Sequence, residues 1–361
     1  MKEIRYKDFS LKTHTKNSRL MRPNVCQFEL TFRCGLRCKH CYTDCYNKVG
    51  NLKKELNTQE VIYILDKCYK AGVIWVCFTG GDPLTREDFL EIYSYARAKG
   101  FIVTIFTNGY SITEKIVNCL KKKPPFVIEL TLNAATKELY EEISQVQGSF
   151  KKVMFGINLI LKSKLPLKIK TQATKDNFKE LPRIKKLIKG LGLTFRPSTD
   201  VYARLNGDLV PCSLRLSPEE ILSLDGNKRQ LTDDCQIINQ ESKSELFRCA
   251  VAGGDGIHVD PYGNTFSCNL IRKPVFNLLK VDLDYARATI LGNLRDRVFT
   301  TDSKCQNCNL RADCRWCPGR AYVETGSQES PIGYYCNLAR LGARKQDRKS
   351  EIIERSPAHK K

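Results

Sequence analysis

Between residues 25 and 199 the chain alternates short apolar runs with longer stretches whose apolar residues recur every three or four positions. The runs at 25–31, 73–79, 101–107, 126–132, 167–173 and 193–197 predict strands. Between them, helical patterns begin near Thr58, Arg86, Thr113, Ser149 and Asn177. The first of these sets Val61, Ile62, Ile64, Leu65, Cys68 and Tyr69 on one face, the spacing of a helix that packs on a core. Repeated strand–helix units of this length predict an α/β fold of parallel strands with right-handed crossovers, closed or partly closed into a barrel. Such barrels carry their chemistry at the C-terminal ends of the strands.

Outside that region the pattern changes. Residues 1–24 form a polar, basic extension without the apolar stretch of a secretory signal. After a barrel at 25–200, residues 201–248 read as an irregular bridge with one helix from Ser217. From 249 to 336 cysteines become dense and helical patterns are hard to find, which predicts a small domain held by metal rather than by a core. Residues 337–361 form a charged tail, expected to fray from Gly342. No apolar run approaches the roughly 18 residues of a membrane span. Many cysteines without an export signal point to metal binding in a reducing cytoplasm rather than to a disulfide framework.

The chain has 60 Lys and Arg against 39 Asp and Glu, a formal charge of +21. Residues 151–200 hold 13 of those cations and only 3 of the acids. Leu181, Ile184, Leu187, Ile188 and Leu191 make one apolar stripe, and Lys179, Arg183, Lys185, Lys186 and Lys189 fall largely off it. This predicts a solvated outer helix face. No aromatic residues interleave with the charge as on stacking surfaces, which argues against nucleic acid; an acidic peptide partner is compatible with it.

Seventeen cysteines are present, and three stand as Cys34-x3-Cys38-x2-Cys41 just after the first predicted strand. Three thiolates so placed can hold a cluster of four irons and leave one iron open to a chelating ligand. With His40 before the third cysteine, the loop resembles that of radical S-adenosylmethionine (SAM) enzymes. The second strand ends in Gly80-Gly81-Asp82-Pro83, which is similar to the motif of that family that grips the amino group of SAM, although the family usually has Glu at Asp82. The third strand ends in Thr107-Asn108-Gly109, and the fourth carries Thr131 and Asn133, where the resemblance places contacts to the SAM ribose or carboxylate. Polar caps at strand ends would explain Thr131 and Asn133 equally well. Ile143-Ser144-Gln145-Val146-Gln147 stands where relatives carry a carboxylate-binding arginine, so none is assigned.

Cys249, Gly263-x4-Cys268, Cys305-x2-Cys308-x5-Cys314-x2-Cys317 and Cys336 resemble the SPASM extension of radical SAM enzymes. Structural zinc also uses Cys-x2-Cys pairs, but seven cysteines do not divide into sets of four. The resemblance implies a partial (βα)6 TIM-like barrel with a small C-terminal iron–sulfur domain and three [4Fe–4S] clusters: one for SAM at Cys34, Cys38 and Cys41, and two auxiliary. Auxiliary cluster I takes Cys249, Cys268 and Cys317, and auxiliary cluster II takes Cys305, Cys308, Cys314 and Cys336. Cluster I is one cysteine short; Asp255 or an open iron would complete it. Cys26, Cys45, Cys212 and Cys235 have no evident partner, and Cys68, Cys77 and Cys119 read as core residues.

The implied function is reductive cleavage of SAM to a 5′-deoxyadenosyl radical, used to crosslink a ribosomally made peptide or protein. The implied partners are that substrate, a separate leader-binding protein, and an electron donor such as flavodoxin or ferredoxin, with no membrane. The alternatives are a porphyrin-tailoring enzyme of haem biosynthesis and, from another class, a non-catalytic zinc-bound adaptor.

Overall fold

The computed structural model describes residues 4–20, 22–224, 245–249, 254 and 256–354, with side chains through 345 except at 18 and 19. Cys235, Asp255 and the centre of the bridge lie outside the described residues. The elements run α1 Tyr6–Arg19, β1 Val25–Thr31, α2 Val49–Leu52, α3 Thr58–Lys70, β2 Trp75–Gly80, α4 Phe89–Ala98, β3 Ile102–Thr107, α5 Glu114–Lys122, β4 Val127–Thr131, α6 Lys137–Ser144, α7 Ser149–Lys162, β5 Leu167–Gln172, α8 Leu181–Gly190 and β6 Phe195–Ser198. They continue with α9 Pro218–Leu224, β7 Gly256–Val259, β8 Asn264–Phe266, β9 Phe276–Asn277, α10 Leu283–Gly292, α11 Pro318–Thr325 and α12 Gly333–Glu354.

All nine strands belong to one sheet, ordered β6-β5-β4-β3-β2-β1-β7-β8-β9. The first six are parallel neighbours in sequence order, as a (βα)6 unit requires. The barrel is open: β6 ends one edge, and the far side of β1 is taken by β7, also parallel. Phe28, Leu30, Phe78, Val103, Ile105, Ile128, Leu130 and Ile169 point to the helices and join Ile64, Ile92, Val117, Ile157 and Ile184 in the main core. Successive strand residues alternate in direction, so Glu29, Thr31, Cys77, Phe106, Glu129, Thr131 and Lys170 face the opposite side, the lumen. The cationic residues flanking the apolar stripe of α8 are exposed, while Leu181, Ile184 and Ile188 are buried.

The structure differs from expectation at both ends. Residues 1–24 contain α1, whose His14 ring stacks on Trp75 at 4.7 Å while Tyr6 Oη accepts from Trp75 Nε1 at 3.0 Å. Trp75 opens β2, so α1 covers the N-terminal end of the strands, opposite the chemistry. Helix α6 and the helices of the C-terminal region are further additions. That region is not held by metal alone: β7 continues the barrel sheet, and Leu246, Phe247, Ile271, Ile290, Leu294 and Phe299 form a separate core. The tail expected to fray from Gly342 is helical as far as Glu354, and Lys345 Nζ donates to Leu222 O of α9 at 2.7 Å; residues 355–361 lie outside the described residues. These helices lack a clean apolar period. α10 buries Arg287 and exposes Tyr285, and α11 begins at a proline capped by Cys317. Cys77, expected in the core, lies on the lumen face beside Glu129 and Lys170.

Two ion pairs fasten the C-terminal region to the barrel and a third fastens it to the bridge. Arg272 Nη2 donates to both oxygens of Glu29 on β1 at 2.9 Å. Arg215 holds Glu324 of α11 through two bonds, and Arg320 of the same helix reaches Asp200 at 3.0 Å. The Glu29 side chain is only 3% exposed, and burial raises its pKa against the opposing pull of Arg272. Removing one partner of such a pair leaves a buried charge uncompensated. Arg272→Met is therefore expected to destabilise the protein by about 3–5 kcal/mol, read as a lower chemical-denaturation midpoint, and the double variant with Glu29→Gln should recover most of the loss. Full stability of the single variant would show that the pair does not fasten the region.

Candidate active site

The loop after β1 leaves the sheet at its C-terminal edge and is pinned on several sides. Arg37 N and Lys39 N donate to the carbonyls of Ser144 and Ile143 at the end of α6. Lys39 Nζ reaches Glu142 at 2.8 Å and Asp176 at 3.6 Å. Asn47 Nδ2 donates to Cys34 O at 3.1 Å. Gly35 admits the Tyr110 ring so closely that an added Cβ would stand 2.6 Å from it. Cys34, Cys38 and Cys41 converge within this loop. Burial first, then Asp82 and Cys41, pushes the Cys34 thiol up to about 12, despite a hydrogen bond from Leu36 N. Burial, then Cys41 and Cys34, likewise raises Cys38, and burial raises Cys41. Thiols in this condition ionise only with a cation, so metal loading must release protons.

The turn after β2 lies against the same loop. Gly80 has φ +128, and a Cβ there would meet Thr31 O at 2.1 Å; one on Gly81 would meet Arg33 O at 2.4 Å and Phe32 O at 2.6 Å. Gly81 N and Asp82 N donate to Thr31 O and Arg33 O. A main-chain contact to a ligand from Gly81 must then come from its carbonyl oxygen, which accepts from an ammonium; Asp82 O already accepts from Thr85 N and Thr85 Oγ1. The Asp82 carboxylate is fully buried and accepts from Leu84 N, Thr107 Oγ1 and Asn108 N at 2.8–3.0 Å. Burial outweighs these bonds and pushes its pKa up to about 6. Pro83 opens the short turn that Asp82 caps.

The structure brings His40 and Asn133 together. Asn133 Nδ2 lies 3.4 Å from His40 Nε2, while Asn133 Oδ1 accepts from Gln172 N at 2.9 Å. Burial lowers the imidazole to about 4, so the ring is neutral at ordinary pH. Thr131 ends β4 opposite Lys170, half-buried. Two residues below it, Glu129 pairs with Lys170, whose ammonium lies 4.3 Å from the centre of the Phe106 ring. The sequence left Asn108 without a role. Its side-chain amide donates to Cys34 Sγ at 3.2 Å, and its place at a strand end beside the glycine turn was the available signal.

The C-terminal thiols separate in space. Burial, then Cys317, raises the pKa of Cys268. Burial first, and the neighbouring Cys336 and Cys308, raise those of Cys305 and Cys314. Cys249 is half-buried between the two regions of chain that lie outside the description. Among the described residues no three Cys, His, Asp or Glu side chains form a group that could hold one metal ion.

Residues 28–186 match the profile of the Radical SAM superfamily. An "AdoMet-dependent heme synthase" of Oleidesulfovibrio alaskensis is 30% identical over 355 residues, covering 85% of this chain and 86% of the relative. The chain belongs to the radical SAM superfamily. It is thus an enzyme family member that uses SAM and a [4Fe–4S] cluster. The "Mycofactocin maturase MftC" of Mycobacterium tuberculosis is 28% identical over 259 residues, or 68% of this chain and 64% of the relative. Among solved structures, Streptococcus suis SuiB bound to its precursor peptide SuiA superposes with a TM-score of 0.65, at 15% identity, over 89% of this chain and 78% of that one. That likeness speaks for the fold. Among the described residues no helix is long and apolar enough to cross a membrane.

In this radical SAM enzyme Gly81 is required by contact, and Gly80 both by contact and by its positive φ. Gly81→Ala should displace the Phe32–Arg33 backbone and lower the iron content by about four per chain, measured after anaerobic reconstitution. Gly50→Ala, where the added Cβ meets nothing within 4 Å, should load normally. Equal loading by the two variants would refute the steric argument.

Proposed function

We propose that this radical SAM enzyme holds its SAM cluster on Cys34, Cys38 and Cys41 and two auxiliary clusters on the C-terminal thiols. The observation that carries this reading is the sorting of thiols into separate sets, the first at the C-terminal edge of a parallel half-barrel. Cys268 and Cys317, with Cys249, are assigned to auxiliary cluster I, and Cys305, Cys308, Cys314 and Cys336 to cluster II. The bound cofactors supply one-electron cleavage of the SAM sulfonium, giving methionine and a 5′-deoxyadenosyl radical that takes a hydrogen atom from substrate. The chain supplies the rest. Carbonyls of the Gly80–Pro83 turn receive the SAM ammonium, neutral His40 and Asn133 border the nucleoside, and Thr131 edges the ribose. The packed loop excludes water.

For the substrate we infer a peptide or protein chain. Its support is the open-sided sheet, with β6 as a free edge, and a lumen lined by charged and polar side chains. A second reading, a carboxylate-bearing porphyrin, is favoured by the match to a haem synthase along nearly the whole length of both proteins. Anaerobic incubation with SAM and reductant separates them. Mass change in a co-expressed short peptide supports the first; loss of carbon dioxide from a porphyrin carboxylate supports the second.

The cluster assignment is tested apart from the substrate. The wild type should bind about twelve irons. Replacing Cys34, Cys38 and Cys41 together with Ala should lower that to about eight and abolish 5′-deoxyadenosine formation. A triple variant that still cleaves SAM reductively would overturn the assignment.

A further inference from the structure

The cluster loop is joined to the third strand through one side chain. Asn108 follows β3 and uses three of its polar groups at once. Its backbone N donates to Asp82 Oδ2 at 3.0 Å, its Oδ1 accepts from Tyr110 N at 2.8 Å, and its Nδ2 donates to Cys34 Sγ at 3.2 Å. The bond from Tyr110 decides the orientation of the amide, because a flipped group would set two donors against each other. Tyr110 is itself held: its ring lies against Gly35, and its hydroxyl accepts from Lys152 Nζ at 3.0 Å. The N–H facing Cys34 is therefore fixed before any cofactor binds.

Asp82 Oδ2 accepts from the backbone N–H of the same residue whose side chain faces Cys34. A carboxylate beside a cluster ligand opposes the addition of an electron. Asn108 stands between them and gives one donor to each. Hydrogen bonds to cluster sulfurs stabilise the more negative, reduced state and so raise the reduction potential. We propose that Asn108 is a positioning residue that sets the reduction potential of the SAM cluster by donating its side-chain amide to Cys34. The inference rests on the assignment of that cluster to Cys34, Cys38 and Cys41. Asn108 acts through Cys34.

The test uses the full chain, reconstituted anaerobically, with the SAM cluster recognised by the change of its electron paramagnetic resonance signal when SAM is added. Asn108→Leu keeps the size of the side chain and removes the donor. It should retain wild-type iron while the midpoint of the SAM-responsive signal shifts to more negative potential and the other clusters keep theirs. Formation of 5′-deoxyadenosine should slow with a weak reductant and recover with titanium(III) citrate, a recovery that misplaced ligands would not show. Asn108→Asp, which can still accept from Tyr110 N, should shift the midpoint further in the same direction, and it carries the test if the Leu variant loads poorly. An unchanged midpoint in an iron-replete variant overturns the proposal, and so does loss of iron in both, which would make Asn108 a loading residue. A SAM-responsive signal that survives the triple Cys→Ala replacement overturns the cluster assignment instead.

Discussion

The exits of β1 and β2 lie in direct backbone contact, and the geometry of the site follows from that contact. A Cβ at Gly80 would stand 2.1 Å from Thr31 O, closer than atoms can approach. With both side chains absent, Gly81 N and Asp82 N bond to the start of the cysteine loop. Asp82 is thereby carried into the sheet, where its oxygens collect Leu84, Thr107 and Asn108. Asn108 then returns to Cys34. The circuit begins and ends on the cysteine loop, so its position is determined by backbone rather than by long side chains. Asp in place of the usual Glu is consistent with this: the carboxylate serves the turn and the third strand.

The interior of the half-barrel is unlike that of a barrel filled by branched apolar residues. Glu29, Glu129 and Lys170 point into it, and Arg272 enters from the C-terminal region. Charges removed from water are tolerated when paired. Glu29 is nearly fully enclosed and its partner fastens one region to the other. Lys170 is about one-third exposed, with its ammonium against both Glu129 and the Phe106 face. The first pair is structural by its burial. The second, below Thr131 on the lumen face, is less enclosed.

The parallel half-barrel was legible in the sequence because short strand-forming runs recur between helical periods, and β1, β4 and β5 alternate helix-facing apolar residues with lumen-facing polar ones. β1 was read at its observed limits, and α3 and α7 start where their periodicity begins. Short spacing alone brings Cys34, Cys38 and Cys41 into one loop, whereas the pairing of Cys268 with the distant Cys317 was expected from family resemblance and from no local pattern. What the sequence hid has physical causes. β7 is four residues long, and its place beside β1 depends on a contact more than 200 positions away. Helix α11 begins in a cysteine-rich stretch where turn residues and ligands mask apolar periodicity. The meeting of His40 with Asn133, and of Asn108 with Cys34, depends on how loops fold over strand ends, which no local pattern reports.

The continuity of the sheet also bears on how the clusters could cooperate. Had the C-terminal region been a separate domain on a linker, its thiols would move relative to the barrel. Instead β7 shares a register with β1 from Val25 to Phe28, Arg272 grips the same strand, and Arg320 reaches Asp200 just beyond β6. The region thus holds both flanks of the open half-barrel, and Cys268 and Cys317 lie in the segments that supply Arg272 and Arg320. Fixing Cys268 and Cys317 to the same sheet as the loop of Cys34, Cys38 and Cys41 makes the separation of the two thiol groups a property of the fold.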